Sequence, residues 1–184
     1  MVTADDELID ALSDTPSNLK ARRSIKGISI EGLTERTVDN IQMADEALAA
    51  IAEKRNTVLH AHSHSVSFLR IFTEGPSMHT QRTVFLSFVD LGSSTTTQFS
   101  ETTRAVDLRR AQRIQKTISS ISDALIGLQR FQVAPPTSSM LSFVLQDFWN
   151  PDSLIQIFFW ISALSANLYD SIKCAEYAAS CRSF

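Results

Sequence analysis

Two β-rich runs followed by one long helical pattern constrain this chain most. "SVSFLRIF" (65–72) and "TVFLSFVDL" (83–91) are dense in β-branched and aromatic residues, and "TEGPSMHTQR" between them is a loop marked by Gly75 and Pro76. They predict an antiparallel pair. The stretch "RAVDLRRAQRIQKTISSISDALIGLQRF" (104–131) then places Val106, Ile114, Ile118, Ile121, Leu125 and Leu128 at helical spacing as core positions. A Ser/Thr-rich loop, "GSSTTTQFSETT", lies between pair and helix, and "VAPPTSS" breaks the chain after it.

The remaining segments fit a layered α/β domain. "DDELIDALSDTPSNLK" begins with a short amphipathic turn and breaks at Pro16, and "SIKGISIEGLTERTV" alternates around Gly27 and Gly32 as a small hairpin or meander. Val38, Ile41, Ala44, Leu48 and Ile51 predict a helix with Thr37 as cap and a basic C-terminal end. "MLSFVLQDFW" reads as a further helix, "SLIQIFFWIS" as a buried strand and "NLYDSIKCAEYAASCR" as a closing helix. With 184 residues the simplest expectation is one domain.

Composition narrows the function classes. A formal net charge of −3 argues against a nucleic-acid binder. The acidic start "MVTADDELID" is not a secretory or transit signal, and the most apolar run, Leu154 to Leu164, is too short to span a bilayer. Cys174 and Cys181, on one helix, would lie roughly 10 Å apart at about 1.5 Å per residue, beyond disulfide reach. The chain reads as cytosolic, with no membrane partner.

His60, His62 and His64 in "HAHSHS" (60–65) alternate as metal ligands on a strand do. His79 and Asp90 are the nearest candidates to complete such a site. A zinc protein is therefore one reading, and the neighbouring motifs supply another.

In order along the chain, "DELIDAL", "KGISIEGLTERTV", "FVDLGSS", "IQKTISSISDALIGL", "VAPPTSSMLSFVLQDFWN" and "DSIKCAEYAASC" are similar to successive motifs of the kinesin motor domain. The family's LVDLAGSE, its second switch, resembles Phe88 to Ser94, and its SSRSHS, the first switch, then falls on His60 to Ser65. The resemblance is carried by six matches in one order, none of them specific alone. It implies a partial kinesin-type P-loop motor fold in which a central, mostly buried sheet is flanked by helices and the N-terminal part of the motor is missing. Within one domain of residues 1–184 it places switch I at about 57–65, switch II at about 88–94, the relay helix at about 104–130 and the last helix at about 167–182.

The resemblance also assigns roles. Asp90 matches the switch II aspartate near the Mg²⁺ shell, and Gly92 matches the glycine that meets the γ-phosphate if one residue is deleted before it; otherwise Ser93 takes that place. Of switch I only Ser63 and His64 keep the family's residue types, since Ala61 and His62 replace a serine and an arginine. The switch glutamate falls on Ser94 or Thr95, so both members of the family's arginine–glutamate pair are absent. No G-x-x-x-x-G-K-[ST] occurs in the 184 residues. ATP and Mg²⁺ therefore follow from the resemblance alone, and no cofactor is expected for this chain by itself. The plain alternative for Asp90 is an aspartate that orders a loop.

By the same resemblance the loop and helix after switch II meet tubulin. From Arg104 to Lys116 there are five cations (Arg104, Arg109, Arg110, Arg113, Lys116) against Asp107. Arg109, Arg113 and Lys116 share a helix face. The second filament contact is depleted, with Pro136, Thr137, Met140 and Phe143 replacing a tyrosine and three cations. The expectation is a kinesin-like, cytoskeletal, microtubule-associated protein that does not hydrolyse ATP alone. The alternative is a non-catalytic module that binds microtubules or another kinesin chain. Apolar faces left without the early strands would be exposed.

Overall fold

A computed structural model of the chain describes residues 1–4, 7–15, 19–25, 27–56, 63–74, 81–92, 104–131 and 138–181. They fall into two compact units, Met1–Arg22 with Ser29–Ser93 and Arg23–Ile28 with Ser94–Phe184. The loops expected around Gly75 and Pro76 and over 93–103 lie outside the described residues.

In the first unit the two β-rich runs become β5 (His64–Glu74) and β6 (Gln81–Asp90), antiparallel from Ser65 opposite Asp90 to Glu74 opposite Gln81. Near the N-terminus the expected amphipathic turn is instead a pair of short strands, β1 (Val2–Ala4) and β2 (Glu7–Ile9). Sheet pairing decides this segment: β1 also pairs with β5, and the ladder extends to Met1, whose carbonyl accepts from the Val66 amide at 2.9 Å. Local sequence preference is weak against such partners. The sheet order is β2-β1-β5-β6.

β3 (Lys20–Ser24) and β4 (Gly27–Glu31) form the small hairpin read from the glycines. Gly27 is needed there: its φ is +110°, and a Cβ would lie 2.4 Å from a carboxylate oxygen of Asp147, which also accepts from the Ile28 amide at 2.5 Å.

Helix α1 (Ile41–Lys54) starts later than expected. Its cap is Asn40, whose side chain accepts from the Met43 amide at 2.9 Å, not Thr37. An Asn side chain can reach the free amides of the first turn only from the residue just outside it. Of the α1 apolar stripe only Ile51 is buried, in a cluster with Val2 and Ala11.

Asp10 anchors the far side of this unit. One oxygen of its buried carboxylate accepts from the Leu12 amide (3.0 Å), the other from the Thr34 amide (2.8 Å). Burial by itself raises the carboxyl's pKa. The hydrogen bonds from Thr34 and Leu12 and the nearby amino terminus outweigh it, holding the pKa below the ordinary value.

In the second unit α2 (Arg104–Phe131) buries Ala111, Ile114, Ile121, Ala124 and Leu125 along one face. α3 (Met140–Val144) packs on it through buried Leu141 and Val144. Ser120 donates to Ser142 Oγ at 2.8 Å and Ser142 lies 2.9 Å from the capping Ser139 hydroxyl, so the buried hydroxyls partner one another. α4 (Leu168–Cys181) joins α2 where the Tyr177 hydroxyl donates to the Ile118 carbonyl at 3.4 Å. Cys174 and Cys181 are both free thiols.

Two expectations about burial are corrected. Residues 153–164 are not a strand and not buried: Leu154 is 90 % and Trp160 87 % exposed. A buried strand needs neighbours on both edges, and no strand among the described residues pairs with this one. The sheet is also not mostly buried. Its covered part is the β1 side (Val2, Leu8, Val66), whereas Phe72, Val84, Phe85, Leu86 and Phe88 are exposed on β5 and β6. The exposed apolar faces match what a sheet lacking its early strands should show.

Replacing Asp10 with Asn should lower stability at neutral pH by about 1–3 kcal/mol, since a charged acceptor serving two backbone amides is lost. A carboxylate with a depressed folded pKa contributes fully above the ordinary aspartate pKa of about 4, and the contribution fades as pH falls through the folded value. The wild type should therefore lose stability to acid more steeply than Asp10→Asn in urea melts across that window; parallel acid limbs would contradict the assignment.

Candidate functional site

The start of β5 and the end of β6 bring together four residues singled out in the sequence: Ser63, His64, Asp90 and Gly92. The ladder is responsible. With Ser65 opposite Asp90, the residues just before one and just after the other must lie side by side. Ser63 is fully buried and His64 nearly so. The Gly92 amide donates to His64 Nδ1 at 3.1 Å, so that ring nitrogen is the acceptor.

Glycine at 92 is required by proximity, not by backbone angle. A Cβ there would lie 2.6 Å from the Ser63 carbonyl oxygen and 3.0 Å from its carbon. Backbone atoms cannot move aside as a flexible side chain could. The structure seats Gly92 against the Ser63 backbone.

The sequence reading missed Arg55. It is the residue at the C-terminal end of α1, and it reaches both strands: one guanidinium nitrogen pairs with the Asp90 carboxylate, the other donates to the Ser63 carbonyl at 3.1 Å. Its side chain is 16 % exposed, that of Asp90 68 %. An ion pair so open to water contributes little, about 0–1 kcal/mol. The hydrogen bond to buried Ser63 matters more, because a buried carbonyl left without a donor costs about 1–3 kcal/mol. The only signal in the sequence was the basic end "AEKR" of the predicted helix, which does not name a partner.

These contacts bear on the nucleotide implied by the resemblance. Asp90 is occupied by Arg55, and the Gly92 amide by His64. The Gly92 amide is thus already used within the protein, whereas Asp90 keeps an exposed carboxylate beside Arg55. His60 and His62 lie outside the described residues; His64 Nδ1 is already an acceptor. No group of three or more metal-ligating side chains forms among the described residues.

The cations lie in the second unit. Arg109, Arg113 and Lys116 are exposed on α2, with Arg110 half-buried beside them. Met140 and Phe143 are half-buried in α3, which fits packing; Pro136 and Thr137 lie outside the described residues. No helix among the described residues is long and apolar enough to cross a membrane.

This combination, a switch-like strand junction followed by a long basic helix, is matched among known proteins. Residues 4–184 match the kinesin motor domain, and the chain belongs to that family. It is 27 % identical over 187 residues to the Kinesin-like protein KIN-12G of Oryza sativa subsp. japonica, covering 94 % of this chain and 15 % of that protein. The C-terminal motor domain of Kar3 from Candida glabrata superposes with a TM-score of 0.78 at 22 % identity, over 98 % of this chain and 55 % of the other. A KIF14 structure with ADP, in complex with a microtubule, gives 0.80 at 18 % identity, over 100 % and 57 %. The chain thus spans about half of each matched motor structure and a smaller part of KIN-12G.

Gly92→Ala should cost about 1–3 kcal/mol through the forced separation from Ser63, whereas Asp90→Asn should cost no more than about 1 kcal/mol. Thermal melts of the two variants check the order; equal losses would mean that the ion pair, not the close approach, holds the junction.

Proposed function

We propose that this chain is a kinesin-type, microtubule-associated segment that does not bind or hydrolyse ATP by itself. It is the latter part of a motor domain, in which 57–65 and 88–94 are altered switches, 104–130 is the relay helix and 167–182 the last helix. One observation carries the reading: Arg109, Arg113 and Lys116 stand exposed along one face of α2, at the place where the resemblance puts the filament-binding helix. Family membership and the fold shared with a KIF14 motor on a microtubule support it.

A cationic stripe on a chain of net charge −3 attracts an acidic partner locally, and tubulin is the acidic partner that the family supplies. Association places the protein on the cytoskeleton. The loss of a tyrosine at Pro136 and of cations at Thr137, Met140 and Phe143 makes the contact weaker than that of a full motor. The absence of a phosphate loop within the chain, and the internal pairing of Asp90 and Gly92, support the non-hydrolytic part. Asp90 and Ser63 then serve to order the strand junction rather than to hold Mg²⁺. A second kinesin chain is the further partner that this reading admits.

The chain should pellet with microtubules at low salt and be released as salt rises, because screening acts on exposed charges. Reversing Arg109, Arg113 and Lys116 to Glu should weaken binding about tenfold or more, that is by at least ~1.4 kcal/mol. Unchanged pelleting of the triple variant would remove the reading. In separate titrations calorimetry should detect no ATP binding at micromolar concentrations, with or without Mg²⁺, and saturable binding would overturn the non-hydrolytic part.

A further inference from the structure

The β3–β4 hairpin carries a charged run that neither the core nor the strand junction uses. Residues 15–30 hold four cations, Lys20, Arg22, Arg23 and Lys26, and no acidic residue. Within "KARRSIK" (20–26) the one hydroxyl is that of Ser24, with two arginines directly before it and Ile25 directly after.

The fold presents this hydroxyl. Ser24 is the last residue of extended β3, and Arg22, Arg23, Ser24 and Ile25 are all exposed. Ile25 stands in the turn with its side chain fully in water, so packing does not account for an isoleucine there. Arg22 pairs with Glu31 at 3.1 Å, but both side chains are more than half exposed. Such a pair contributes little, and Arg22 can turn to another anion at small cost.

An exposed serine in extended chain, preceded by cations and followed by an apolar residue, fits the acidic cleft of a protein kinase that reads charge patterns. A lipid surface fits less well. One isoleucine buries far less apolar area than a single acyl chain, and even that chain gives only marginal membrane binding.

The surroundings give the phosphate a consequence. Ser24 Oγ donates to the Gly27 carbonyl at 3.1 Å. The Asp147 carboxylate is packed against that same glycine and accepts from the Ile28 amide at 2.5 Å, tying the hairpin to the segment after α3. A phosphate on Ser24 removes the hydroxyl donor and adds a charge of about −1.5 to −2 beside the residue that Asp147 contacts. Like charges repel, so the Ile28 amide loses its acceptor.

We propose that Ser24 is a phosphorylation site for a kinase selecting serines preceded by arginines, and that the phosphate releases the hairpin from Asp147. The γ-phosphoryl group of ATP passes to Ser24 Oγ. The Oγ–P bond forms, the bond from the γ-phosphorus to the β–γ bridging oxygen breaks, the hydroxyl proton goes to the kinase's carboxylate base, and ADP leaves. The proposal does not depend on microtubule binding.

The test is incubation of the full chain with Mg-ATP and the catalytic fragment of a protein kinase C, with an acidophilic kinase as control. Intact mass should show one phosphoryl group per chain, and peptide fragmentation should place it on Ser24. Ser24→Ala should lower incorporation about tenfold or more, and Arg22→Ala combined with Arg23→Ala should slow labelling of Ser24 by a similar factor. Amide exchange at Ile28 should rise about fivefold in the phosphorylated chain. Four outcomes overturn the proposal: no label on Ser24, equal labelling by the acidophilic kinase, unchanged exchange at Ile28, or binding to phosphatidylserine vesicles without labelling, which would assign the hairpin to lipid. If the arginine variant does not fold, site mapping and exchange on the wild-type chain decide.

Discussion

The antiparallel ladder between β5 and β6 is the constraint on which the candidate site depends. Its register puts Ser65 opposite Asp90, and from that follow the seating of Gly92 on the Ser63 backbone and its amide bond to His64. A slip of one residue would turn every side chain of one strand to the other face and separate these groups. Arg55 reinforces the register from outside, bridging the end of α1 to both strands. Hydrogen bonds among buried groups, rather than the exposed ion pair, supply most of the hold.

The same ladder sets the internal partners of the junction. In the family the two switch segments meet around a phosphate, by the roles the resemblance assigns. Here the Gly92 amide and the Asp90 carboxylate find partners within the protein. Internal hydrogen bonds of this kind keep buried polar groups satisfied, as a stable fold requires.

Burial is distributed unevenly, and the uneven part is informative. α2 and α3 enclose a core of aliphatic residues with a fully partnered set of serine hydroxyls. β6 and residues 153–164, by contrast, hold apolar side chains in water. Exposed apolar patches of this kind mark interaction surfaces, ligand grooves or aggregation-prone faces.

Much of the fold was legible in the sequence because it rests on local periodicity. The β5–β6 pair, the long α2 and the closing α4 follow from apolar spacing, and the hairpin follows from Gly27 and Gly32. The motif order alone led to the kinesin family, which the match over residues 4–184 bears out. What periodicity does not encode is which partner a segment finds. The strands at Val2–Ala4 and Glu7–Ile9, the cap at Asn40, the Arg55 bridge and the open run at 153–164 all turn on contacts between residues distant in sequence, or on the lack of them. Composition determined that the apolar residues of β6 would seek cover; only the assembled sheet decided that none is available within the described residues, because burial is a property of neighbours and not of the strand itself.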